Sequence, residues 1–135
     1  MIFVDTNYFL RYILADIPSQ YKVAQKLLQD GASNKIFLFT STLVFFEIHW
    51  VLTSHYKKSK SEVINILNKI LSLKFVKIAN KEILVEGLKN FENTSLSFED
   101  SYHLAYAVAN KATALKTFDK RLQKEFTRSK ETSSS

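Results

Sequence analysis

The chain has no cysteine, so disulfides, thiolate nucleophiles and Cys-ligated zinc are excluded, and the composition fits a cytoplasmic protein. Glycine is almost as scarce. Gly31 and Gly87 are the only two, and they can build neither a P-loop nor the G-x-G-x-x-G turn of a dinucleotide site. The G-x-S-x-G pattern of a nucleophile elbow is missing as well. No apolar run approaches the roughly 18 residues that a membrane helix needs. The N-terminus lacks the basic-then-apolar pattern of a signal peptide, so no membrane association is expected. Histidine is sparse and lacks zinc-site spacing: His49 and His55 are six residues apart and His103 stands alone.

What is present reads as a soluble globule with an excess of positive charge. At 135 residues, 46% hydrophobic and 24% charged, the chain is long enough for one domain with a real core. Its net charge of +6 and pI near 9.5 favour a polyanionic partner such as nucleic acid.

Short apolar runs alternate with helical patterns. Ile2-Phe3-Val4 reads as a buried strand that stops at the capping residues Asp5-Thr6-Asn7. Pro18-Ser19 opens a helix with Val23, Ala24, Leu27 and Leu28 on one face and Gly31 as its stop. Lys35 to Thr40 is the next strand, and the helix from about Leu43 to Tyr56 is apolar nearly all round, which marks it as central or interfacial. Ser59-Lys60-Ser61-Glu62 has the spacing of a capping box, and so has Ser97-Phe98-Glu99-Asp100. Phe75 to Ile78 and Thr113 to Thr117 read as further strands, Asn80 as the cap of a helix, and Asp119 to Phe126 as a closing helix. The expectation is a single α/β domain over 1–126, a short, mainly parallel central sheet with helices on both faces. The Ser- and charge-rich stretch 127–135 is expected to be a disordered tail.

Four carboxylates stand in or beside apolar segments. Asp5 ends the first run, Glu47 interrupts the apolar helix, Asp100 opens the helix leading to Val108, and Asp119 follows Phe118. A carboxylate near a core is costly unless it is paired, protonated or bound to a cation. Each has an ordinary structural reading: Asp5 and Asp100 as helix caps, Glu47 in an ion pair, Asp119 in a turn. Taken together, near strand ends and helix starts where α/β sites form, they point to one acidic crevice. Oxygen ligands of this kind suit Mg²⁺ or Mn²⁺. A metal so held can generate a hydroxide nucleophile and stabilise an in-line displacement at phosphorus.

At these residues the chain resembles the PIN-domain ribonucleases, and within them the VapC-like toxins of prokaryotic toxin–antitoxin pairs. Val4-Asp5-Thr6-Asn7 is similar to the family's N-terminal motif and Thr42 to Leu52 to its Glu-bearing helix. Ser97 to Ala107 is similar to the third motif, and Leu115-Lys116-Thr117-Phe118-Asp119 to the closing Thr/Ser-x-Asp element. The resemblance implies a Mg²⁺- or Mn²⁺-dependent RNA endonuclease. Asp5 and Asp100 would be the main metal ligands, completed by Glu47 and Asp119, with Thr6, Asn7 and Thr117 as supporting polar contacts. It also implies a homodimer and a small cognate antitoxin that covers the site. The family usually continues past the fourth motif into a further strand, whereas here a charged stretch leads to the Ser-rich end.

Two basic clusters accompany these motifs. Lys57, Lys58 and Lys60 read as a solvated face, while Lys120, Arg121 and Lys124, next to Asp119, are the expected RNA-phosphate contacts. Phe45, Phe46 and Trp50 read as core or dimer interface rather than base-stacking platforms. Two other functions compete with the nuclease: an inactive PIN-like module that binds RNA or protein, and a phosphohydrolase acting on small phosphate esters.

Overall fold

The computed structural model describes residues 1–133. They form two compact units, Met1–Ala79 and a second that begins at Asn80. Among the described residues no helix is long and apolar enough to cross a membrane.

The first unit is α/β. Its strands are β1 (Ile2–Phe3), β2 (Leu38–Thr40) and β3 (Val76–Ile78), all parallel and ordered β1-β2-β3. Ile2 pairs with Leu38, and Leu38 in turn with Val76. Helices α1 (Thr6–Leu14) and α2 (Pro18–Ala32) connect β1 to β2, while α3 (Thr42–Ser54) and α4 (Lys60–Leu71) connect β2 to β3. Parallel neighbours require such long crossovers. The core draws Phe9 and Leu10 from α1, Leu28 from α2, Phe45, Ile48 and Leu52 from α3, and Val63, Leu67 and Ile70 from α4. Each fully buried aliphatic or aromatic side chain contributes roughly 1.5–3 kcal/mol. The first capping box forms as its spacing predicts: Ser59 Oγ accepts from Glu62 N at 3.2 Å and Glu62 Oε1 accepts from Ser59 N at 3.3 Å. Gly31 does not stop α2 but lies inside it, where a Cβ would come within 2.6 Å of Leu38 Cδ1.

A polar cluster ties the end of α1 to Tyr56, two residues past α3. Arg11 Nη1 and the Tyr56 hydroxyl donate to the two oxygens of Asp16 at 2.8 and 3.0 Å. Loss of water pushes the Asp16 carboxyl up, but the Tyr56 hydrogen bond, its own backbone N–H and Arg11 outweigh this and hold it below the ordinary 3.8. A carboxyl depressed in the folded state stabilises above its unfolded value, and that contribution drains away as the pH falls through the folded value. The stability advantage of the wild type over Asp16→Asn should therefore be constant near neutrality and disappear below about pH 3.8. Urea melts of both proteins across this range check it, and a difference that does not change with pH would contradict the assignment.

The second unit is helical among its described residues: α5 (Lys81–Asn93), α6 (Phe98–Ala109) and α7 (Lys120–Ser133). Helices α5 and α6 pack closely, and a Cβ on Gly87 would lie 3.2 Å from Tyr102 Cα. Leu96, Leu104, Leu122 and Phe126 form a small core of their own. Ser101 on α6 is fully buried, and its hydroxyl has no hydrogen-bond partner among the described residues. An unsatisfied buried hydroxyl costs about 1–3 kcal/mol, and alanine is the better helix former. Ser101→Ala should thus stabilise the protein by about 1 kcal/mol and raise its melting temperature by a few degrees. A lower melting temperature would mean that the hydroxyl makes a bond worth keeping.

Several expectations are corrected. Thr113 to Thr117 is not a strand: only Leu115 in it packs on the small core, and a single apolar anchor does not make an alternating face. Ile2 and Phe3 are exposed, because β1 is the end strand of the sheet order; Val4, just beyond it, is the buried residue. Val23 is exposed on α2. Asn80 does stand at the N-cap of α5, as expected, but its side chain makes no cap bond. The closing helix does not stop at Phe126 but runs to Ser133, through much of the stretch expected to be a disordered tail. Local contacts carry it past the last core residue: Arg128 pairs with Glu125 at 3.6 Å and Lys130 sits 5.4 Å over the Phe126 ring. The rest of the expected tail, Ser134 and Ser135, lies outside the described residues.

Candidate active site

In the first unit the site is built where β1 runs out. Val4 extends the ladder, its N–H donating to Phe39 O at 2.9 Å and its carbonyl accepting from Thr40 Oγ1 at 2.8 Å. Asp5 then turns the chain as the N-cap of α1, and its Oδ1 accepts from Thr6 N at 2.7 Å. Thr6 is buried, and its hydroxyl donates to Glu47 Oε2 at 2.7 Å. A neutral donor to a carboxylate at this distance is among the stronger hydrogen bonds. The Asp5 and Glu47 carboxylates thus meet on one residue, at the C-terminal end of a parallel strand, where α/β proteins place their ligands. Asp5 and Glu47 are exposed rather than set in the core, so their cost is not that of buried charge. Asn7, the residue after Thr6, lines a cavity of about 380 Å³ with Tyr8, Arg11, Gln20 and Val23.

The second unit holds the other two acids. Ser97 caps α6, its Oγ accepting from Asp100 N at 3.1 Å. The cap of this helix is therefore Ser97 and not Asp100, whose half-buried carboxylate has no hydrogen-bond or ion-pair partner among the described residues. A negative charge in the first turn is favoured by the helix dipole. Asp119 has a structural duty: its Oδ1 accepts from Arg121 N and Leu122 N at 2.9 and 3.0 Å, which caps α7. Thr117 supports it, its hydroxyl accepting from Asp119 N at 3.0 Å. Lys120, Arg121 and Lys124 are all exposed on α7, and Arg121 Nη1 also reaches Ser95 O at 3.4 Å.

Among the described residues no three Asp, Glu or His side chains gather into a set that could hold a metal ion. The donor chemistry nevertheless fits a hard divalent cation. The four candidate groups are all carboxylates, Asp100 is not engaged elsewhere, and Asp5, Glu47 and Asp119 each spend one oxygen on the bonds above. Oxygen donors of this kind suit Mg²⁺ or Mn²⁺.

One residue that the sequence reading sets aside proves to be exposed. Trp50 is neither core nor half-buried: it is 64% exposed, as Leu43 is at 63%, whereas Phe45 is completely buried. The signal lies in the spacing. Leu43, Glu47 and Trp50 recur every three or four residues and so share one face of α3.

No curated protein and no solved structure matches the chain. The PIN domain family model matches residues 2–126, a span that takes in all four acids and both units. PIN domains are generally nucleases, usually metal-dependent. By this match and its α/β fold with a small parallel sheet, the chain belongs to the PIN domain family.

Proposed function

We propose that the protein is a metal-dependent endoribonuclease, the toxin of a toxin–antitoxin pair, acting in the cytoplasm. Asp5, Glu47, Asp100 and Asp119 are its acidic residues and would hold Mg²⁺ or Mn²⁺. Thr6 and Thr117 orient two of them, and Asn7 contributes a polar contact to substrate. The observation that carries the reading is the Asp5–Thr6–Glu47 linkage at the end of β1 in a chain of this family. A buried hydroxyl that fixes an exposed carboxylate is a positioning device, since it removes rotamer freedom from the group that must meet a ligand. When bound, the metal supplies Lewis-acid stabilisation of charge developing on the phosphoryl oxygens. The protein's own part is to hold that charge centre with Asp100 and its partners and to grip flanking phosphates with Lys120, Arg121 and Lys124. A homodimer and a small antitoxin that covers the acids belong to the same reading.

The helix-capping duties of Asp5 and Asp119 favour one other reading, an inactive module that binds RNA or protein and keeps these acids for their caps. Wild-type protein incubated with single-stranded RNA in Mn²⁺ and in EDTA decides between them, with a small phosphate ester in parallel. Internal cleavage of the RNA with metal alone, and little turnover of the ester, is the expected result. Binding without cleavage would support the inactive module, and preferred turnover of the ester would support a phosphohydrolase.

A further inference from the structure

Apart from the bond between Thr6 and Glu47, the face of α3 that carries Leu43, Glu47 and Trp50 is turned to solvent, and its composition points to a ligand. Leu43, Phe46, Trp50 and Val51 surround Glu47 and line a shallow depression of about 380 Å³. Trp50 presents most of its ring to solvent one turn from a carboxylate that Thr6 holds in place. A large exposed aromatic in an apolar patch marks a binding surface. Two occupants compete, a nucleobase and a second copy of the chain. A protein interface centred here would bury the Glu47 charge, which is costly without a cationic partner. A single-stranded RNA would lay an unpaired base on the indole and leave Glu47 open to solvent and cation. The chain's net charge of +6 also draws a polyanion.

We propose that Trp50 is a base-stacking platform that positions one unpaired nucleotide of an RNA strand beside the Glu47 carboxylate, an inference that rests on the nuclease reading. Stacking on an indole tolerates any base, because every base has a π-face. Trp50 is therefore a positioning residue and selects single strands over duplexes, whose bases are already stacked.

Trp50 is the only tryptophan in the chain, so fluorescence excited at wavelengths beyond tyrosine absorption reports on it alone. The experiment titrates the protein in EDTA with a single-stranded oligouridylate, reading indole fluorescence and, separately, the anisotropy of a labelled copy of that RNA. Saturable quenching that follows the anisotropy curve is expected. Trp50→Phe should keep most of the affinity, whereas Trp50→Leu, apolar but without a π-face, should lose about tenfold. With metal present, Trp50→Leu should raise KM far more than it changes kcat. RNA binding by anisotropy with unchanged indole fluorescence would overturn the stacking role and leave the nuclease reading standing. A blue shift that depends on protein concentration without RNA would assign the face to a second copy instead. No RNA binding at all would remove both the stacking role and the nuclease reading beneath it.

Discussion

Asp5→Asn and Asp100→Asn should each lower RNA cleavage by at least about 100-fold, the loss typical of removing one strong electrostatic group from an active site. The structure makes this test clean. Asparagine retains the acceptor that Thr6 N–H uses at Asp5, and it is as good an N-cap as aspartate. The Asp100 carboxylate makes no hydrogen bond or ion pair among the described residues, so its amide costs the fold little. Glu47→Gln likewise keeps an acceptor for the Thr6 hydroxyl, and Asp119→Asn keeps the cap of α7. These two should damage cleavage less completely, since each already spends an oxygen on structure. Initial cleavage rates in Mg²⁺, with melting curves that match the wild type, give the measurement. Wild-type cleavage by Asp5→Asn would show that the acid serves only as a helix cap.

Removing the three cations of α7 is the second large perturbation. Lys120 and Lys124 are one turn apart on the exposed face of an amphipathic helix whose other side buries Leu122 and Phe126. Their replacement by Gln, together with Arg121→Gln, leaves that packing untouched and keeps a good helix former at each position. Each phosphate neutralised on a single strand contributes about 0.7 to the slope of log affinity against log salt, so the slope should fall by about 2. If mutant and wild type bind equally in molar salt, that difference amounts to about 100-fold at 0.1 M. The loss should be alike for all RNA sequences, because phosphates carry no sequence information. Titrations at several salt concentrations measure it, and an unchanged slope would move the RNA path off α7.

What was legible in the sequence was mostly local. The Ser59–Glu62 capping box, the start of α2 at Pro18 and the runs that become β2 and β3 depend on neighbours a few residues away, and spacing reports those directly. The strand expected at 113–117 failed because a short apolar run carries no information about whether a partner strand lies beside it. The length of α7 was missed for the opposite reason. Its last turns are held by side-chain pairs such as Arg128 with Glu125 and not by burial, and a search for core residues does not see these. At the candidate site the four acids could be picked out by their odd company, but their duties could not. The bond between Thr6 and Glu47 joins residues 41 apart, and the capping of α7 by Asp119 depends on where that helix begins. The exposure of Trp50 depends on which face of α3 the rest of the unit covers, and an all-round apolar helix leaves that choice open.

The central claim is that these acids serve a divalent cation, and the melting temperature of wild type and Asp100→Asn, each in EDTA and in Mn²⁺, tests it most directly. A ligand that binds only the folded state stabilises it by mass action, about 2.7 kcal/mol at a hundredfold excess over its dissociation constant. The wild type should therefore melt several degrees higher in Mn²⁺, and Asp100→Asn should gain much less at the same concentration. Equal Mn²⁺-induced shifts in the two proteins would contradict the account, because Asp100 would then not be a ligand.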